Sequence, residues 1–311
     1  MNRQRILATL LLLVFLTSCA PTTTVQSTQT AVPITSTSTP TMLPSATSTI
    51  TLTPTPTLPP MTDFMQGLVY YPAGYGGDQR PETDWTLKNI VLPTGANWIR
   101  LHVACNQDSV QSTQVSCNSQ ELLSDEGYLH LVKTAHNLGL RVMSEHRIES
   151  IGWVNSWAGD IGDKYNEQQW AEWFASYGKS ILHYAELAET AGTDYIIIVS
   201  ELESTTHREK EWRELISKVR EVYHGKVSMA FSEESSLQDV QFWDALDAIG
   251  VHPYYLDLPG VTDPTVEQLK TAFLPHANKL EALSKKWNKP ILISEIGFWS
   301  IHTMPYHDPE L

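Results

Sequence analysis

Seven short runs rich in Val, Ile and Leu recur along the chain: Gly67–Tyr71, Trp98–Val103, Arg141–Ser144, Tyr195–Val199, Val227–Phe231, Ala248–Val251 and Pro290–Ser294. Runs that are apolar at consecutive positions are buried on both faces, the condition of strands in a parallel sheet covered by helices. The segments between them carry apolar residues at helical spacing. Residues 120–138 offer Leu122, Leu123, Leu129, Leu131 and Val132 and stop at Gly139, and residues 167–191 offer Trp170, Trp173, Phe174, Tyr177, Ile181 and Tyr184 and stop near Gly192. Residues 207–223 offer Trp212, Leu215, Ile216, Val219 and Tyr223, closed by Gly225, and residues 264–287 begin at Asp263-Pro264 with proline in the first turn. Regular alternation leaves two α/β architectures, a doubly wound sheet and a (β/α)8 TIM barrel. No glycine-rich phosphate loop follows the first run, which weakens the doubly wound option. The expectation is a (β/α)8 barrel. Only sixteen residues of the 311 follow Glu295, too few for a full eighth strand and helix, so the barrel is expected either to be truncated after its seventh strand or to close abnormally.

The first sixty residues belong to no core. A basic start, Met1-Asn-Arg-Gln-Arg5, leads into an apolar run from Ile6 to Leu16 and then Thr17-Ser18-Cys19. That run is well short of the ~20 residues that cross a bilayer, which marks an export signal rather than a span. Small residues before a cysteine resemble a bacterial lipobox, implying cleavage before Cys19, lipidation of its thiol and an extracytoplasmic, lipid-anchored location. Residues 20–60 are nearly all Thr, Ser and Pro, too apolar-poor to offset their ordering entropy, and read as a disordered, extended tether. The division is 1–19 signal peptide with lipobox, 20–60 linker and 61–311 (β/α)8 barrel. A net charge of −14 argues against a nucleic-acid partner. A monomer is expected. Apart from Cys19, the cysteines are Cys105 and Cys117, which either form a disulfide in this oxidising compartment or stay free. No Cys/His cluster has metal-ligand spacing, and no cofactor is expected.

Two glutamates directly follow buried runs: Glu201 after Ile196-Ile-Ile-Val-Ser200, and Glu295 after Ile291-Leu-Ile-Ser294. In a parallel barrel the C-terminal strand ends form the active face. Counted as strands four and seven, the two rims lie across the mouth, which could bring the carboxylates to the ~5 Å of a retaining glycosidase. One carboxyl would protonate the leaving oxygen and the other attack the anomeric carbon, and position alone does not say which. Arg100 is placed to keep a carboxylate ionised, or to form a structural ion pair. His102 is a similar rim candidate. His146 is placed to bond a substrate hydroxyl, and Tyr254, ahead of Tyr255, to bond Glu295. Trp153 and Trp157, in a glycine-containing loop, and Trp299, just past Glu295, are sugar-stacking candidates. Ten tryptophans and twelve tyrosines supply such faces, although Trp170, Trp173 and Trp212 read as core. Glu145, Glu203, Glu233 and Glu234 are set aside from the catalytic pair; the last two, after strand five, could touch substrate.

Several stretches together resemble clan A glycoside hydrolases, and most of all glycoside hydrolase family 113. They are Arg141-Val-Met-Ser-Glu-His146 with Trp157-Ala-Gly-Asp-Ile161; Ile198-Val-Ser-Glu-Leu-Glu203 followed by Trp212-Arg-Glu-Leu-Ile216, Val219-Arg220 and Tyr223-His-Gly225; Leu246-Asp-Ala-Ile-Gly-Val-His-Pro-Tyr-Tyr255; and Lys289-Pro-Ile-Leu-Ile-Ser-Glu-Ile-Gly-Phe298. The resemblance covers about residues 64–300. It implies a retaining hydrolase of a β-glycan, β-mannan favoured, with Glu201 as general acid/base and Glu295 as nucleophile. Where many clan A enzymes carry Asn before the acid/base, this chain carries Ser200, a shorter donor toward the sugar 2-hydroxyl. The alternative is a non-catalytic, surface glycan-binding lipoprotein with a degenerate barrel.

Overall fold

The computed structural model describes residues 64–71, 81–117, 123–149, 153–255, 258, 261 and 263–297, all within the compact unit 60–311. The signal segment, the linker, Cys19 and Trp299 lie outside the described residues. Seven strands form: β1 (Gly67–Tyr70), β2 (Trp98–Asn106), β3 (Arg141–Glu149), β4 (Tyr195–Ser200), β5 (Lys226–Phe231), β6 (Ile249–Val251) and β7 (Ile291–Ile293). Every neighbouring pair is parallel, and the strands lie in sequence order. A doubly wound sheet reverses its order at a switch point, whereas a barrel adds every strand on the same side. The sheet also curls. β2 and β7 are five strand spacings apart, which would be about 24 Å in a flat sheet. Yet Arg100 of β2 donates to Glu295, two residues past β7, at 2.7 Å. The chain has the (β/α)8 barrel fold, with seven strands among the described residues.

The main helices are α1 (Pro81–Thr86), α2 (Asp125–Asn137), α3 (Glu167–Ala191), α4 (Glu209–Val222), α5 (Glu234–Asp239) and α6 (Val266–Trp287). α3 buries Trp170, Trp173, Tyr177, Ile181, Tyr184 and Ala188, the three- and four-residue stripe visible in the sequence. Its start is fixed by a reciprocal cap between Asn166 and Gln169, and its end by Gly192 in the left-handed region, where glycine costs nothing. In α6 the cap is Thr265, whose hydroxyl accepts from the Gln268 amide, so Pro264 precedes the helix instead of lying in its first turn.

β2 and β3 run nine residues each, well beyond their apolar runs, and pair along their whole length. The extensions hold charged residues that a hydrophobic pattern reads as loop. Period-two alternation resolves this. Ile99, Leu101 and Val103 of β2, with Val142 and Ile148 of β3, face the helices in the main core. Trp98 and Met143 belong to a smaller cluster on the other, concave face. Arg100 and His102 share Trp98's side of β2, and Glu145 and Arg147 share Met143's side of β3. The Cys105–Cys117 disulfide forms, and beside it Asn106 and Ser116 exchange backbone hydrogen bonds of 2.7 and 3.0 Å. Both pin the loop that leaves β2.

Candidate active site

Glu201 follows β4 immediately, with a left-handed backbone at φ 56°. A non-glycine residue there carries a conformational cost, and such outliers gather where a site over-determines the backbone. Its amide donates to Ala230 O at 2.9 Å, which fixes the turn. Its carboxylate, nearly buried, meets Arg147 Nη2 at 2.6 Å and His252 Nδ1 at 2.8 Å. Glu295 accepts from Arg100 Nη2 at 2.7 Å and from Tyr254 Oη at 2.8 Å, and lies 3.7 Å from Arg147 Nη1. One guanidinium therefore touches both glutamates. That keeps their near oxygens within ~9 Å, two contacts plus the width of the planar fork.

Three carboxyl groups are matched by three cations. Glu145, fully buried, pairs with Arg100 and lies 3.1 Å from His252 Nε2. Burial pushes Glu145 upward, but the His252 hydrogen bond and the Arg100 charge overcome this and hold it at about 2. Burial pushes His252 downward, but Glu145 and Glu201 reverse that and raise it to about 9, so both ring nitrogens carry protons at neutral pH. Burial would raise Glu295 as well, yet Arg100, His252 and the Tyr254 hydroxyl keep it below the usual carboxylate range. Burial and the adjacent Glu295 charge raise Tyr254, which stays a phenol and a donor. Glu145, His252 and Glu295 bring ligand-type atoms within 4.8 Å of one another. Arg100 already lies on both carboxylates and His252 is protonated, so positive charge is already in place there.

Of the expected site residues, the structure brings together Glu201, Glu295, Arg100 and Tyr254. Ser200 is fully buried beside them, its hydroxyl without a protein partner. His146 is a correction. Alternation along β3 turns its ring out of the barrel, against Tyr184 of α3 at 5.0 Å, with Nδ1 on Ile197 O at 3.1 Å. Burial lowers it to about 4, so it is a neutral core histidine. Trp153 donates to Gln107 O at 3.1 Å and packs on the helix-side core. Trp157 is half-buried, its ring against Gly159, where a Cβ would lie 2.3 Å away. Glu234 bonds His276 and Lys279 of α6, not a site for substrate. Glu203 accepts from Ser232 and the Glu233 amide, and burial raises it to about 7.

Sequence reasoning missed Glu145, set aside as unrelated, together with Arg147 and His252. The signal was available: both β3 residues sit at even spacing from Met143, and His252 closes the apolar run of β6. It also missed Tyr71, just past β1, whose exposed ring lies 4.5 Å from that of His102. His102 in turn meets Glu149 at 2.6 Å.

Residues 72–308 match the profile of Glycoside Hydrolase Family 113. Two solved structures of a GH113 β-1,4-mannanase, one of them a complex, are each 26% identical over 75% of this chain and 72% of theirs, with TM-scores of 0.66 and 0.64. The GH113 β-mannanase AaManA from Alicyclobacillus acidocaldarius, in complex with ManMIm, is 24% identical over 75% of this chain and 71% of its own, with a TM-score of 0.64, a likeness of fold. No curated protein matches.

Proposed function

Because the chain belongs to glycoside hydrolase family 113, we propose that it hydrolyses the β-1,4 bonds of mannan with retention, Glu295 acting as nucleophile and Glu201 as acid/base. The observation that carries this reading is the Arg147 guanidinium touching both carboxylates, which sets them on the scale of a single sugar ring. The assignment of roles is the one the family resemblance implies, since each glutamate meets two donors. Glu295 accepts from two donors, Arg100 and Tyr254, and is held ionised, as an attacking carboxylate must be.

In the first step a Glu295 oxygen bonds to the anomeric carbon while Glu201 delivers its proton to the departing glycosidic oxygen. In the second, Glu201 takes a proton from water, the water oxygen attacks the same carbon, and Glu295 leaves as carboxylate. Tyr254 and Arg100 keep Glu295 oriented through both steps. Arg147, partly exposed between the acids, turns its N–H groups to the sugar as the ring enters. The lipobox pattern at Cys19 supports an enzyme tethered outside the cytoplasmic membrane and working on polysaccharide there.

The test is reducing-sugar release from glucomannan and galactomannan by the full chain. Glu201→Gln and Glu295→Gln should each lower the rate by ~10²–10⁴-fold. Sugar binding with no release by the parent chain would favour a non-catalytic glycan-binding role instead.

A further inference from the structure

We infer that Tyr71, with the His102–Glu149 pair beneath it, forms a subsite for a neutral hexose unit on the glycone side of the cleaved bond. This rests on the catalytic reading above and extends the site to residues it does not use.

A lone exposed tyrosine means little by itself. This one has a built setting. Tyr71 follows β1, its neighbour Tyr70 registered with Leu101, so its ring settles over His102 of β2 at 4.5 Å with a 35° tilt. His102 is buried and fixed by Glu149 at the end of β3, 2.6 Å away. The ring is thus held on a rigid, strand-borne base while 58% of the residue stays open to solvent. The hydrogen bond from His102 holds Glu149 below the ordinary carboxylate range, so a partly exposed, charged acceptor stands beside the aromatic face. A flat face for the apolar side of a pyranose, next to an ionised carboxylate for its hydroxyls, is the chemistry of sugar recognition.

The side follows from the strands. Tyr71, just past β1, lies on His102 of β2, two residues along from Arg100, which bonds Glu295 at 2.7 Å, whereas Glu201 stands past β4. The platform therefore lies toward the nucleophile. In the mechanism Glu295 bonds the glycone and Glu201 serves the departing aglycone, so a sugar on Tyr71 is the unit preceding the one attacked.

The experiment compares kcat/KM for 4-nitrophenyl β-mannobioside, which would reach the platform, with that for 4-nitrophenyl β-mannoside, which would not. The full chain should prefer the bioside, and Tyr71→Ala should shrink the preference by about tenfold or more, mainly through KM. Tyr71→Phe should keep it, since the ring face remains. Glu149→Gln should lower it in the same direction, which covers the case of an unfolded Tyr71→Ala. An unchanged bioside-to-monoside ratio in both Tyr71→Ala and Glu149→Gln overturns the subsite while leaving the catalytic reading intact. A parent chain that cleaves neither glycoside and no mannan overturns that reading and the subsite with it.

Discussion

Raising the pH above neutrality removes the proton that His252 holds between Glu145 and Glu201, and the loss should be visible in folding stability. The folded-state value is about 9, against 6.5 for an ordinary imidazole. A raised value means that the folded state binds this proton more tightly than the unfolded chain does. The contribution is fully present below about pH 6.5 and is lost as the pH rises through about 9. The gap corresponds to roughly 3 kcal/mol, and the residue is fully buried, so solvent screening takes little from it. Glu203, raised to about 7, titrates in the same window, so the parent chain alone would mix the two. The assay is urea denaturation of the parent and of His252→Gln from pH 6 to pH 10. Subtracting the curves cancels Glu203. The parent's advantage should fall by about 3 kcal/mol across that range. A difference that stays constant with pH would refute the charged histidine and the balanced ion cluster built on it.

Arg100→Met removes the cation shared by Glu295 and Glu145. The acid limb of kcat/KM should move up by about 1–3 pH units, because Glu295 loses the charge that keeps it ionised, and a pH–rate profile checks this. Reducing the Cys105–Cys117 bridge, or replacing both cysteines by alanine, frees a link across 12 residues. The chain-entropy cost is about 3 kcal/mol, a fall in Tm of roughly 6–12 °C by calorimetry.

The strand order was legible because the barrel's strands are buried on both faces, and β4, Tyr195–Ser200, shows this most clearly with every residue buried. The two rim glutamates, Glu201 and Glu295, were legible for a related reason: each directly follows an apolar strand run that ends in a serine, which sets its carboxylate at a strand end. The cations between the acids were not. Arg147 and Glu145 sit in a strand whose second half is polar, and hydrophobicity ends β3 at Ser144, five residues early. What extends that strand is its pairing with β2 from Trp98↔Arg141 to Asn106↔Glu149, a long-range fact. His146 was misplaced by the same gap. Once β3 is known to continue, alternation alone sends His146 outward and its two neighbours inward. Tyr71 was unreadable for a different reason: its meaning lies in the His102 ring beneath it, 31 residues away in the chain.

The nucleophile can be caught directly. Incubation with 2-deoxy-2-fluoro-β-mannosyl fluoride slows the second step more than the first, so a covalent glycosyl-enzyme accumulates and peptide mass spectrometry locates it. The sugar should be found on the peptide containing Ile291-Leu-Ile-Ser-Glu295, esterified to Glu295 and absent from Glu295→Gln. A label on Glu201 or Glu145, or product of inverted configuration with no adduct, would contradict the assignment.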